Sequence, residues 1–347
     1  MIATPGLTAM SATLLDLDRL GEYLRRQLPQ LGELRAAREF SDGQSNPTFL
    51  LTTTNGEYVL RRQPAGELLQ SAHAVDREYR VIDALRDSAV PVPAAIHLCT
   101  DPAVIGSLFF LMSYQPGRIF WDPTLPGLER DERGAIYTEM NRVLVALHEV
   151  DIADVGLEDY GRPGNYFERQ VSRWSRQYRA TETETIAAMD RLLDWLPQNL
   201  PADDGQVSLI HGDYRIDNLI FDPAENRVVA LLDWELSTLG HPYADLAYQC
   251  MQWRMPRDCA IAGLGDVDRS ALGIPPEDEY VALYCAQRGL DSIPHWEFYL
   301  AFSYFRFAAI LQGVLKRAQD GNAASSKAFA YGALAPMLAN DAVKLID

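Results

Sequence analysis

The chain has 347 residues, 48% hydrophobic and 23% charged, enough to bury a large core and too many for one small domain. Its 48 acidic and 31 basic side chains give a net charge of −17, which argues against a protein that grips a nucleic-acid backbone. Cys99, Cys250, Cys259 and Cys285 form no CxxC pair and no zinc spacing, so they read as reduced, mostly buried residues of a cytoplasmic protein. Residues 1–10 carry no charged segment followed by an apolar one, and no run of about 18 apolar residues occurs, so neither a signal peptide nor a membrane span is expected.

Ser11 to Leu28 has helical spacing, with Leu14, Leu15, Leu20 and Leu24 on one face. Phe40 to Leu51 reads as strand, polar loop and strand. Gly43-Gln44-Ser45-Asn46 is that loop, and it is not a Walker A sequence. Free N–H groups of such a loop suit phosphate oxygens, which makes Gly43, Ser45 and Asn46 nucleotide-binding candidates; an ordinary turn is the other reading. Asn55-Gly56, between two strand-like runs, is the strongest hairpin signal in the chain. A helix follows from about Ala72 to Arg86, with Val75, Tyr79, Ile82 and Leu85 as its buried stripe. Ala95 to Cys99 and Leu108 to Tyr114 are two further strands.

After Gln115-Pro116-Gly117 the pattern becomes helical: Arg130 to Val150, Tyr166 to Arg179, Glu182 to Leu196, Tyr243 to Trp253, Pro276 to Arg288 and His295 to Arg317. The expected fold is α+β with two lobes: residues 1–115 form a small β-rich nucleotide-binding lobe, and residues 116–347 a larger, mainly helical lobe for catalysis and acceptor binding.

One hairpin interrupts the helices. His211-Gly212-Asp213-Tyr214-Arg215-Ile216-Asp217-Asn218 leads into Leu219-Ile220-Phe221, a turn at Asp222 to Asn226, then Val228 to Leu232 and Asp233. A hairpin of this length brings Asp233 back beside Asn218. Asp213 can then orient a hydroxyl and accept its proton, while Asn218 and Asp233 hold Mg²⁺ against nucleotide phosphates. Arg215, two residues after Asp213, either meets the transferring phosphate or pairs with a surface acid. His-Gly-Asp alone also reads as a tight turn; the offsets of Asn218 and Asp233 favour the catalytic reading. Asp245 is a helix N-cap candidate and His148 a satisfied core histidine.

The segment from His211 to Asp233 resembles the catalytic motif of the aminoglycoside phosphotransferase and choline kinase group, which shares the protein-kinase-like fold. Leu232 to Pro242, Ala244 to Tyr248, Ser71 to Arg80 and Gly161 to Phe167 are similar to the phosphotransferase domain fused to acyl-CoA dehydrogenases. The resemblance runs from about Phe40 to the C-terminal helices. It implies that Arg61 takes the place of the strand lysine that touches the α- and β-phosphates, with Glu78 as its ion-pair partner. It also implies an adenine edge near Met112, Ser113 and Tyr114, ATP with Mg²⁺ as cofactors, and a small-molecule hydroxyl acceptor. The same kinship suggests a hydroxyacyl acceptor and a functional link to an acyl-CoA dehydrogenase. A true aminoglycoside kinase would share every core residue, and a non-catalytic nucleotide-binding module would more often have lost one. Arg162, Arg169 and Arg173 either meet an anionic acceptor or solvate a helix face.

Overall fold

The structure is a computed structural model and describes residues 15–40, 46–64, 74–321 and 328–347, with the short strand Leu7–Thr8. Gly43 and Ser45 of the proposed phosphate loop, and Ser71 to His73 of the helix motif, lie outside the described residues. The chain divides into two compact units, Met1–Ile119 with Asp217–Glu235, and Phe120–Ile216 with Leu236–Asp347.

The first unit is built on an antiparallel sheet. Its strands are β1 (Leu7–Thr8), β2 (Leu34–Phe40), β3 (Thr48–Thr53), β4 (Glu57–Arg62), β5 (Ala95–Cys99) and β6 (Phe109–Ser113), in the order β1-β2-β3-β4-β6-β5. Asn55-Gly56 turns β3 into β4 as expected, with the Thr53 N–H donating to the Gly56 carbonyl at 2.9 Å. Leu20 and Leu24 of helix α1 (Leu17–Gln27) bury against Phe49, Leu51, Leu60, Phe109 and Leu111. Helix α2 (Val75–Ala84) buries Val75, Glu78, Val81 and Ile82. The buried face thus departs from the expected apolar stripe: Glu78 and Val81 are buried, and Tyr79 is half-buried with its ring edge-on to Phe110.

The catalytic hairpin groups with this unit. Its strands are β8 (Leu219–Phe221) and β9 (Val228–Leu231), which follow the short strand β7 (Ser208–Ile210) in the chain. Arg118 and Phe221 exchange backbone hydrogen bonds at 2.8 and 2.9 Å. The Arg118 guanidinium also donates to the carbonyls of Asp222 at 2.9 Å and Glu225 at 2.7 Å. A side chain at Gly117 would lie 2.3 Å from the Phe221 carbonyl oxygen, so glycine is needed for that close approach.

The second unit is mainly helical: α3 (Arg130–His148), α4 (Tyr166–Thr181), α5 (Ala187–Gln198), α6 (Tyr243–Met251), α7 (Arg269–Leu272), α8 (Glu277–Arg288), α9 (Trp296–Gln319), α10 (Ala328–Gly332) and α11 (Ala335–Ile346). Helix α9 is long and apolar enough to cross a bilayer by length and composition alone, and 83% of its apolar window is buried against α4, α6, α10 and α11. It is the core helix of this unit. Strand β7 pairs with β10 (Thr238–Gly240), Leu209 opposite Leu239, and delivers the chain to His211.

Candidate active site

In the sheet unit, Arg61 of β4 is the centre of a buried polar chain. Its Nε lies 2.8 Å from Glu78 Oε2, and its Nη2 donates to Asp233 Oδ1 at 2.5 Å. Glu235 Oε2 is 3.9 Å from the same Nη2. Asn46 donates through Nδ2 to the other Glu78 oxygen at 2.7 Å, so its amide anchors the glutamate. Burial works against the charge on Arg61, yet Glu78, Asp233 and Glu235 together hold it more firmly protonated than usual. Glu78 has the opposite balance. Burial first, then repulsion from Asp233 and Glu235, outweighs Arg61 and Asn46 and pushes its carboxyl up to about 7.

Asp233 and Asn218 close the open end of the hairpin, where the Leu232 N–H donates to the Asn218 carbonyl at 2.9 Å. Asp233 itself sits at φ 65°, a left-handed conformation unusual for a residue with a side chain. The buried Trp234 fixes the following residue, its Nε1 donating to the Leu231 carbonyl at 3.0 Å. The amide oxygen of Asn218 and the carboxylate of Asp233 are hard oxygen donors of the kind Mg²⁺ prefers. Among the described residues no group of three or more His, Cys, Asp or Glu side chains forms a protein-only cage.

Met112 and Ser113 end β6, opposite Val59 and Tyr58 of β4. Ser113 is engaged with Ala94: its N–H donates to the Ala94 carbonyl at 2.9 Å and its Oγ accepts the Ala94 N–H at 2.9 Å. Tyr114, half-buried, is the first residue beyond the strand.

In the helical unit, the loop after β7 carries Asp213. Gly212, at φ 83°, precedes it, and a Cβ there would lie 2.6 Å from the Leu236 carbonyl oxygen, so only glycine fits. Asp245 does not cap α6, whose N-cap is Pro242. Instead its buried carboxylate accepts the N–H groups of His211 at 2.6 Å and Gly212 at 2.8 Å, and stands 3.5 Å from His148 Nε2. Burial alone would raise the Asp245 carboxyl; His148 and the His211 N–H hold it below its ordinary value. His148 is a satisfied core residue, with Nδ1 2.7 Å from the Tyr284 hydroxyl. His211 is buried, and its Nδ1 accepts the Asp213 N–H at 3.3 Å. Asp213 and Arg215 are both half-buried.

The three arginines near α4 divide. Arg169 donates to the carbonyls of Arg162 at 2.5 Å and Pro163 at 3.4 Å, a structural task. Arg173 lies 5.4 Å from the Trp174 ring centroid. Arg162 lines a cavity of about 130 Å³ with Asn165, Asp203, His241 and Tyr299. Two residues that the sequence reading did not single out, Tyr248 and Arg306, touch the Asp213 loop. Arg306 had a sequence signal: it is the lone cation between Trp296 and Leu315 in an apolar helix. Tyr248 had none.

A sheet unit with a buried strand arginine, a metal-type hairpin and a helical unit carrying His-Gly-Asp define a kinase-type phosphotransferase, and the chain belongs to the phosphotransferase enzyme family, which it matches over residues 36–296. It is 49% identical over 302 residues to acyl-CoA dehydrogenase family member 10 of Mus musculus, covering 87% of this chain and 28% of that protein. It is 43% identical over 335 residues to acyl-CoA dehydrogenase family member 11 of Homo sapiens, covering 95% of this chain and 43% of that protein. The chain therefore spans less than half the length of these relatives. A Ralstonia eutropha protein assigned to the aminoglycoside phosphotransferases has a crystal structure that superposes with a TM-score of 0.86 at 47% identity, covering 95% of this chain and 98% of that one. Aminoglycoside phosphotransferase APH(4)-Ia, in a ternary complex with ADP and hygromycin B, superposes at 0.62 with 16% identity, covering 94% and 98%; this is a likeness of fold. The expected α+β, protein-kinase-like fold class is borne out.

Proposed function

We propose that this protein transfers phosphate from Mg²⁺-ATP to a hydroxyl group of a small acceptor, a hydroxy acid or its hydroxyacyl-CoA thioester. The observation that carries this is the Arg61 guanidinium, oriented by Glu78 and resting on Asp233. A buried arginine fixed by one acid and shared with a metal-type aspartate has the makings of a phosphate clamp. Arg61 meets the α- and β-phosphates, which compete with Asp233 for Nη2. Asn46 keeps Glu78 in place, and Gly43 and Ser45 offer N–H groups to phosphate oxygens. Met112 and Tyr114 border the adenine. Asn218 and Asp233 would hold Mg²⁺, which when bound neutralises charge on the phosphates. Asp213 orients the acceptor hydroxyl and takes its proton, and Arg215 meets the transferring phosphate.

Local charge supports this acceptor class. Arg306, then Asp245, Arg173 and Arg169, act on the buried Tyr166, three cations against one acid, while on Tyr248 Asp213 acts most strongly, with Arg215 and Arg306 opposing it. A polycationic aminoglycoside would need the reverse balance, whereas a carboxylate- or phosphate-bearing acceptor gains from it. The relatives named as acyl-CoA dehydrogenase family members support an acyl compound, and the nucleotide complexes of structural neighbours support ATP. The test is ATP- and Mg²⁺-dependent phosphorylation across hydroxy acids, hydroxyacyl-CoAs, aminoglycosides, choline-like alcohols and sugars, read by mass spectrometry with Asp213→Asn as control. A phosphorylated hydroxyacyl product absent from the control is the expected result. Transfer only to aminoglycosides refutes the acceptor class, and ATP binding without transfer to any acceptor in the panel refutes that class too and leaves either an acceptor outside the panel or a nucleotide-binding module.

A further inference from the structure

We infer that Tyr248 and Arg306 are positioning residues for Asp213, one fixing the direction of its carboxylate and the other the peptide beneath it. Their role presupposes Asp213 as the proton acceptor proposed above. Tyr248 stands on α6 and Arg306 on α9, and they are only 5% and 6% exposed. Burial first, then the Asp213 charge and a side-chain hydrogen bond with it, push the Tyr248 hydroxyl up from its ordinary value. Arg306 Nη2 donates to the Gly212 carbonyl at 2.7 Å. Asp245 holds the N–H of the same glycine at 2.8 Å, so the residue before Asp213 is tied through both of its backbone polar groups. Glycine is the residue with most freedom to lose, and its restraint passes directly to its neighbour.

Arg306 is costly where it is. A buried guanidinium ordinarily needs a carboxylate. Among the described residues Arg306 forms no ion pair with one. Two aromatic faces and one carbonyl compensate it instead: its Cζ lies 5.3 Å from the Tyr248 ring centroid and 5.8 Å from that of Trp174. An apolar side chain would fill the interior of α9 at lower cost, so the arginine is best explained by the carbonyl and the tyrosine it holds. The ring stacked on Arg306 is the one whose hydroxyl reaches Asp213, so the two restraints act as a unit. Such support fits catalysis by positioning, where a small misplacement of the acceptor hydroxyl is expensive.

The experiment pairs kinetics with a direct readout of the bond. Tyr248→Phe should lower kcat about tenfold, with the KM for ATP within about twofold and the melting temperature close to wild type. Arg306→Lys, which keeps the charge but not the planar donor, should lower kcat similarly. In protein labelled with ¹³Cζ-tyrosine, the Tyr248 resonance, identified by its loss in Tyr248→Phe, should move in Asp213→Asn. If Asp213→Asn abolishes transfer while Tyr248→Phe and Arg306→Lys keep wild-type kcat, the inference is overturned and the proposed function stands. If Asp213→Asn leaves transfer intact, the role of Asp213 falls and the positioning role falls with it. A Tyr248 resonance unmoved by Asp213→Asn overturns the inference whatever the activity.

Discussion

Glu78→Gln tests the buried polar chain most directly. Glu78 is 1% exposed, and its carboxyl rises from an ordinary 4.5 to about 7 because burial and the two nearby acids outweigh Arg61 and Asn46. At about 1.36 kcal/mol per pH unit this shift corresponds to about 3 kcal/mol. The sign follows from linkage. The folded state binds this proton more tightly than the unfolded chain does, so the contribution is full below pH 4.5 and is lost as pH rises through 7. Wild type should therefore lose roughly 3 kcal/mol more stability than Glu78→Gln on going from acid to pH 8. Urea unfolding followed by tryptophan fluorescence, at intervals from about pH 4 to about pH 8, measures this difference for both proteins. Parallel profiles would refute it, and would mean that Arg61 alone keeps Glu78 ionised throughout.

Asp233→Asn should keep the fold, because asparagine tolerates φ 65°, while raising the half-saturating Mg²⁺ concentration for transfer by roughly tenfold or more. An unchanged magnesium titration would remove Asp233 from the metal site. Gly212→Ala should cost about 1–3 kcal/mol and depress transfer, since its Cβ would meet the Leu236 carbonyl oxygen at 2.6 Å; a wild-type melting temperature would contradict the close contact. Asp245→Asn turns an amide NH₂ toward backbone donors it now accepts, and should cost about 2–4 kcal/mol in urea unfolding. A neutral result would mean that the loop finds its own partners.

The elements that sequence made legible are those with strong local patterns. Helices α3, α4, α8 and α9 carry their apolar spacing openly, and Asn55-Gly56 specifies its hairpin by turn chemistry alone. The Arg61–Glu78 pair was legible through resemblance, although Glu78 stands on the face that periodicity assigned to apolar residues. Asn46 was read as a phosphate-loop residue, and its bond to Glu78 depends on a contact 32 positions away. The Arg306–Gly212 bond spans 94 positions, and Asp245 reaches its two N–H donors across 34 and 33. Such partnerships are set by how α6 and α9 pack, which no local spacing encodes. Asp245 was read as a cap because short acids at helix starts usually cap; here the N-cap is Pro242 and two N–H groups of the preceding loop take the carboxylate instead.

The left-handed backbone at Asp233 sets stability against function at one position. Glycine would relax that conformation and asparagine would tolerate it, yet glycine deletes the charged oxygens and asparagine weakens them. A library of variants selected for thermal tolerance alone should therefore drift toward glycine or asparagine at residue 233, while selection for phosphate transfer should restore the aspartate. The two selections, run side by side on one library, would locate the site without any knowledge of the acceptor.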